Sequence, residues 1–265
     1  MISNRKLVSF DGHCPVNCKH CYTHDFVYET EINPDYGQIN DLVSSLDDGK
    51  DFDVIYVSRR RENFIDESAG IELIKQLYRK YKKHILVITR MNLTKTCIDQ
   101  LAQINCAMMT EGKRLVVAIS IAADSSYNTI EDSQHIASPR DRCEALKKTH
   151  EAGIQTILMA RPILPNSIIP TREIIELIIE YKQSIDVVVS SGLAVNHRIL
   201  SRLNKTEKDF IYLPGDNTEF LIGSEAKGIR YVDVSKELAS IKESCIKIKI
   251  PFYTHSIQAL NQLIQ

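Results

Sequence analysis

The sequence predicts an α/β protein organised on a parallel β-sheet, and three observations predict it. Strand-length apolar runs alternate with longer amphipathic segments, six times between Lys6 and Ser190. Several runs, RLVVAISI at 114–121 above all, are almost continuously apolar, the pattern of strands covered on both faces. Capping residues fall where segments change: Thr94 opens a helix, and Gly153 closes one. At 265 residues, 43% hydrophobic and 25% charged, the chain can bury a sizeable core as one large or two small domains.

Residues 6–10 form a first short strand, followed by a cysteine-bearing loop and a polar stretch to Asn33. Residues 38–46 are a helix, because Ile39, Leu42, Val43 and Leu46 share one face. VIYVS at 54–58 is the second strand. The helix at 67–82 carries the stripe Ile71, Leu73, Ile74, Leu77 and Tyr78. HILVIT at 84–89 is the third strand, and residues 94–104 form the next helix. The fourth strand is 114–121, followed by a helix at 138–152. Residues 154–161 are the fifth strand, stopped by Pro162, which has no N–H for a ladder. A helix at 171–181 and a sixth strand at 185–190 complete the series.

After Ser191 the rhythm weakens. Gly215, Asn217 and Gly223 mark turns between short apolar pieces at 210–213 and 220–222. A strand at 229–234, a helix at 236–247 and a short helix at 256–265 follow. No Pro/Gly/Ser linker separates this tail, so residues 1–191 are expected to be the core and 192–265 an extension packed on the same domain.

The formal net charge of −1 gives no long-range attraction to nucleic acid and argues against duplex DNA as a substrate. No apolar run approaches the ~20 residues of a membrane span, and the first residues lack a signal-peptide core. A cytoplasmic protein without membrane contact is expected.

The densest chemistry lies in Asp11-Gly12-His13-Cys14-Pro15-Val16-Asn17-Cys18-Lys19-His20-Cys21-Tyr22, where three cysteines are spaced C-x3-C-x2-C. Clustered thiols in such a chain point to metal rather than disulfide. Zinc would require a fourth ligand, with His13 or His20 as candidates, and would make the chain a stabilised α/β binding module. An iron–sulfur cube held by three cysteines leaves one iron open. Cysteines that merely pack are the third reading. Cys97, Cys106, Cys143 and Cys245 are scattered, as buried thiols are. Functional groups of parallel α/β proteins gather at the carboxyl ends of strands. That rule selects the cysteine loop, residues 58–63, Thr89-Arg90, 120–124, Arg161 and 190–196.

C-x3-C-x2-C followed by Tyr22 after a first strand resembles the signature loop of the radical S-adenosylmethionine superfamily. Glu62 and Phe64, Ile88-Thr89-Arg90, Ser138-Pro139-x-x-Arg142, Glu144-Ala145-Leu146, Glu151-Ala152-Gly153 and Pro162-Ile163-Leu164-Pro165 resemble its spore photoproduct lyase-like branch, over about residues 7–166. The chain departs from the superfamily at the second strand end, where Ser58-Arg59-Arg60-Arg61 stands in place of a Gly-Gly-Glu motif. The resemblance implies a partial (β/α)6 barrel, with the C-terminal extension capping it. It also implies a 4Fe–4S cluster on Cys14, Cys18 and Cys21, and S-adenosylmethionine chelated to the open iron.

Under this resemblance Arg90 or Arg142 would bind the cofactor carboxylate, and Glu62, beside Ser58, its amino group. Ser120 would bind the ribose, and Tyr22 would lie beside the adenine. Substrate contacts are expected from His13, Arg59, Phe64, Arg161, Ser190 and Asn196. One of His13, His20 and His24 should face the site, since histidine exchanges protons near neutral pH. The run Arg59–Arg61 is either a solvated turn or the seat of an anionic partner. Among compact relatives the chain most resembles the queuine lyases. That implies carbon–nitrogen cleavage of queuine to 7-aminomethyl-7-deazaguanine, with an external one-electron donor such as flavodoxin or ferredoxin. The alternative is a lyase-like enzyme acting on nucleic acid or a peptide.

Overall fold

A computed structural model describes residues 2, 4–10, 14–16, 18–25, 36–46, 49, 51–57, 61–131, 136–214 and 229–264. Its centre is a seven-stranded, all-parallel sheet. In chain order its elements are β1 (Arg5–Val8), α1 (Tyr36–Ser45), β2 (Val54–Val57), α2 (Glu67–Tyr81), β3 (His84–Thr89) and α3 (Lys95–Thr110). There follow β4 (Leu115–Ser120), α4 (Pro139–Glu151), β5 (Gln155–Ile163), α5 (Thr171–Glu180) and β6 (Val187–Gly192). The remainder is β7 (Ala194–Val195), α6 (His197–Arg202), β8 (Arg230–Tyr231), α7 (Ser235–Lys247), β9 (Phe252–Tyr253) and α8 (Ser256–Leu263). The sheet order is β1-β2-β3-β4-β5-β6-β9, so each βα unit adds its strand beside the previous one, as in a partial barrel.

The alternation of side chains sorts the strands onto two faces. Ile55, Val57, Ile85, Val87, Val117, Ile119 and Leu158 face outward and join the helices in the larger core. Val54, Tyr56, Leu86, Val116, Ala118, Ile157, Met159, Val187 and Val189 face inward, where Ala259 and Leu260 of α8 meet them. The C-terminal helix thus fills the concave side of the sheet. Burying one Leu or Ile contributes roughly 1.5–3 kcal/mol, so the two layers together dominate the stability.

Local sequence explains the helix ends. Asp66 accepts a bond from the Ala69 N–H at 3.0 Å and starts α2, and Lys82 ends it in the left-handed region at φ 49°. Thr94 and Ser138 cap α3 and α4 in the same way, with Pro139 in the first turn.

Four expectations need correction. α3 continues to Thr110, because Met108 is buried and Gly112, at φ 69°, supplies the turn. β5 runs through Pro162 to Ile163, with an irregular register between Ala160 and Ile163 that removes the need for a proline N–H. The strand expected at 229–234 is reduced to β8, which pairs antiparallel with β7 outside the main sheet. The seventh strand is instead β9, two residues too short to register as an apolar run, and it pairs with Val188 and Val189. Gly215, Asn217, Gly223 and the apolar piece 220–222 lie outside the described residues.

Candidate active site

The loop after β1 carries Cys14, Cys18 and Cys21 as free thiols; Cys18 is 5% exposed and the other two are half-buried. Its backbone is tied to the segment after β4 and to α6. The Lys19 N–H donates to the Ile130 carbonyl at 2.9 Å, and Lys19 Nζ to the Asn128 carbonyl at 2.9 Å. From α6, Arg202 donates through Nε to the Lys19 carbonyl at 3.0 Å and through Nη2 to the Cys21 carbonyl at 2.8 Å. Val16 and Cys18 pack with Ile136 in a small apolar cluster of their own.

Each thiol differs in its surroundings. Cys14 Sγ accepts the Glu62 N–H at 3.4 Å, and Cys21 Sγ lies 2.9 Å from Thr23 Oγ1. Burial pushes the Cys14 thiol up and the Cys18 thiol to about 12, against the pull of the nearby Arg90 charge. Bare thiolates are therefore disfavoured there, and a bound cation would replace the protons.

Around the loop lies a charged frame. The Glu62 carboxylate at the end of β2 accepts from the Phe64 N–H (3.0 Å), the Thr89 hydroxyl (2.9 Å) and the Arg90 N–H (2.8 Å). It therefore locks the exit of β2 to the exit of β3. Burial raises its pKa, and these three bonds oppose the rise.

Glu131 stands between two arginines. Arg90 Nη1 bonds its Oε1, while Arg142 Nη2 reaches Oε2 at 2.6 Å and Arg142 Nη1 reaches Oε1 at 3.2 Å. Arg142 Nη1 also donates to the Ser120 carbonyl at 2.6 Å. Burial pushes the Glu131 carboxyl up, but Arg142 and Arg90 outweigh it and hold it below the usual range. His20 closes the frame. Its Nδ1 is 3.0 Å from the Ile130 carbonyl, which can only accept, so Nδ1 carries the proton and Nε2 faces Arg90 Nη2 at 3.3 Å. Burial, and then the Arg90 charge, hold His20 neutral, with its pKa lowered to about 3.

Three cysteine sulfurs suit a cube, whose thiolates sit on separate irons. Among the described residues no three His, Cys, Asp or Glu side chains converge on one ion position. His20, one candidate fourth ligand for zinc, bonds the Ile130 carbonyl through Nδ1 and turns Nε2 to Arg90, while His13, the other, lies outside the described residues. The donor set is three soft sulfurs, with a backbone N–H on one of them, and the frame of Arg90, Arg142, Glu131 and Glu62 beside them.

The other expected residues divide. Tyr22 follows the last cysteine and opens a short 3-10 turn. Phe64 is 1% exposed and packs against Gly70, where an added Cβ would meet its ring at 3.2 Å; it is a core residue. Ser120 and Ser190 are buried, and the Ser190 hydroxyl donates to the Ala160 carbonyl at 2.9 Å. Asn196 caps α6 by accepting the Ile199 N–H at 2.9 Å. Arg161 is partly buried at the end of β5. His13, Ser58 and Arg59 lie outside the described residues. Sequence reading missed Glu131 and Arg202. Glu131 is one acid among many in an irregular stretch, and only its place between Arg90, after β3, and Arg142, in α4, distinguishes it.

No family model and no curated protein matches the chain. Solved structures match in fold, and that fold is the radical S-adenosylmethionine type of partial barrel. A spore photoproduct lyase mutant superposes with a TM-score of 0.60 at 13% identity, over 91% of this chain and 72% of that one. Spore photoproduct lyase complexed with dinucleoside spore photoproduct gives 0.59 at 15% identity, over 89% and 70%. Streptococcus suis SuiB bound to S-adenosylmethionine gives 0.51 at 15% identity, over 75% of this chain and 45% of that one.

Proposed function

We propose that the chain is a radical S-adenosylmethionine enzyme whose Cys14, Cys18 and Cys21 hold one 4Fe–4S cluster. The observation that carries this reading is the C-x3-C-x2-C loop at the exit of β1 in a partial barrel of this type. The matched neighbours are radical S-adenosylmethionine enzymes, which bind that cofactor and carry a 4Fe–4S cluster. When bound, the two groups would supply a 5′-deoxyadenosyl radical able to open an unactivated C–H bond.

The chain's own residues bind and orient. Arg90, whose side chain stays 20% exposed at the strand end, is the cation for the cofactor carboxylate. Arg142 is wholly enclosed and committed to Glu131 and the Ser120 carbonyl, so we assign it the holding of Glu131 rather than a cofactor contact. A carboxylate has about four acceptor sites, so Glu62 retains room for the cofactor amino group beside its three protein bonds. Tyr22 is assigned to the adenine, and Ser58 and Ser120 to polar contacts of the cofactor.

For the substrate we favour a small, heteroatom-rich base, best represented by queuine, with carbon–nitrogen cleavage to 7-aminomethyl-7-deazaguanine. The concave face, already occupied in part by α8, supports a small molecule. An external one-electron donor such as flavodoxin or ferredoxin would reduce the cluster, in the cytoplasm. A second reading draws on the neighbours complexed with a dinucleoside spore photoproduct or bound to the precursor peptide SuiA. Anaerobic turnover with S-adenosylmethionine, dithionite and a panel of queuine, dinucleotides and peptides separates the two. Queuine-dependent 5′-deoxyadenosine formed in step with the aminomethyl base supports the first. Acceleration by a dinucleotide or peptide alone overturns it in favour of the second. Reconstituted protein should hold about four irons. Full occupancy in Cys18→Ala would sink the cluster assignment.

A further inference from the structure

The concave side of the sheet carries basic groups that the cofactor frame does not use. Arg161 lies two residues beyond inward-facing Met159, at the mouth of the barrel. Its Nε is enclosed and has no hydrogen-bond partner. The titratable groups beside it among the described residues are Arg5 and the phenols of Tyr56 and Tyr22, with no carboxylate among them. Burial pushes its pKa down to about 10. An enclosed guanidinium nitrogen without an anion is costly, and the wholly buried Arg142 of this chain is paired with Glu131.

Its neighbours reinforce the charge. Arg5 places its guanidinium carbon 5.1 Å from the centre of the Tyr56 ring. The Tyr56 hydroxyl donates to Ser256 Oγ at 3.1 Å, at the first residue of α8. That helix has no side-chain cap and no acidic residue in its first turn, so its N-terminal dipole adds to the field. His255, just before it, feels both Arg161 and Arg5.

We propose that Arg161 and Arg5, with Tyr56 and the first turn of α8, form an anion site that receives a carboxylate or phosphate group of the substrate. This rests on the reading of the barrel mouth as the substrate site, and it sharpens the substrate class. A heteroatom-rich base that also carries a phosphate ester or a carboxylate would place that group in this field. A guanidinium there could take a planar or tetrahedral oxyanion bidentately, which lysine could not.

The test uses the full chain without cluster or cofactor. Melting temperature is followed against inorganic phosphate and against malonate, with chloride balancing ionic strength. Wild type should show a saturating rise with at least one of them; tighter saturation by phosphate assigns a phosphate ester, and by malonate a carboxylate. Arg161→Gln should raise the half-saturating concentration about tenfold or more, the loss of one charge-assisted contact. In chloride alone it should melt no lower than wild type, since it removes a charge that lacks a partner. Arg5→Gln, at an exposed position, should weaken the rise in the same direction and gives the answer if Arg161→Gln does not fold. No rise beyond chloride, or a rise unchanged in the variants that fold, overturns the site. Because no iron is present, that failure leaves the cluster reading standing, while phosphate binding in a chain that cannot hold iron would sink the cluster reading alone.

Discussion

Glu131 and Arg142 form an ion pair from which water is excluded: Nη2 lies 2.6 Å from Oε2, and both side chains are 0% exposed. Arg90 bonds the other oxygen of the same carboxylate, so one acid is shared by two arginines, one after β3 and one in α4. Taking charges out of water is expensive, and the pair is viable because nearly every polar atom has a partner. Its role is to fix positions rather than to add stability over an apolar core.

Removing one member should expose that cost. Glu131→Gln leaves Arg142 enclosed without its anion, and urea unfolding should show a loss of roughly 3–5 kcal/mol. Arg140→Ala, which breaks exposed bridges to Asp124 and Glu180, should cost less than about 1 kcal/mol. Equal effects would mean that Glu131 does not carry the burden assigned to it.

Acid should weaken the fold through His84 at the opposite end of β3. The Arg114 N–H donates to its Nδ1 at 3.1 Å, which requires the neutral ring. Burial, then Lys113 and Arg114, lower its pKa to about 4. A histidine depressed on folding contributes stability that is complete above its unfolded value of about 6.5 and is lost as pH falls toward the folded value. Denaturation midpoints from about pH 7 to pH 4.5 should fall more steeply in wild type than in His84→Gln. Parallel profiles would remove His84 as the source.

Much of this arrangement was legible in the sequence because it follows from local rules. The six apolar runs became β1 to β6, and capping residues Thr94 and Ser138 opened the helices they announce. β9 was not legible, because two residues, Phe252 and Tyr253, pair only once β6 offers an edge. At the site, spacing alone singled out the three cysteines. Phe64 and Asn196 are ambiguous in sequence because a polar or aromatic residue at a strand exit looks the same whether it faces a ligand, a core or a helix N-terminus. Arg202 was invisible because its partners lie more than 180 residues away, at Lys19 and Cys21, and Glu131 because no local pattern marks an acid in an irregular stretch as the partner of Arg142 in the next helix.

That distant brace gives a third expectation. Arg202 holds two carbonyls of the cysteine loop from α6, so the segment after the sixth strand helps set the loop's shape. Arg202→Ala should leave overall stability within about 1–3 kcal/mol of wild type, the range for losing charged hydrogen bonds. Hydrogen exchange of residues 18–22 should accelerate at least tenfold, and iron uptake should slow. Unchanged exchange in that loop would make the brace incidental.

Arg90 offers the sharpest separation between holding and binding. Its Nη1 is engaged by Glu131, its Nη2 faces His20 Nε2 at 3.3 Å and the Arg161 carbonyl at 3.5 Å, and its backbone N–H is held by Glu62. Burial works against its charge, yet the ionised Glu131 carboxylate beside it holds the guanidinium firmly protonated. Such a cation keeps one charge in one place at any working pH, which suits recognition of a carboxylate. Arg90→Gln should weaken S-adenosylmethionine binding to the reconstituted protein about tenfold or more, matching the roughly 1.5–3 kcal/mol of a charge-assisted bond. Arg90→Lys should recover little, because an ammonium cannot bond Glu131 and a cofactor carboxylate in the same fork geometry. Iron content must be measured on the same samples, so that a lost cluster is not taken for a lost carboxylate contact. Full iron content with unchanged cofactor affinity in both variants would remove Arg90 from the binding role and leave it as a partner of Glu131 alone.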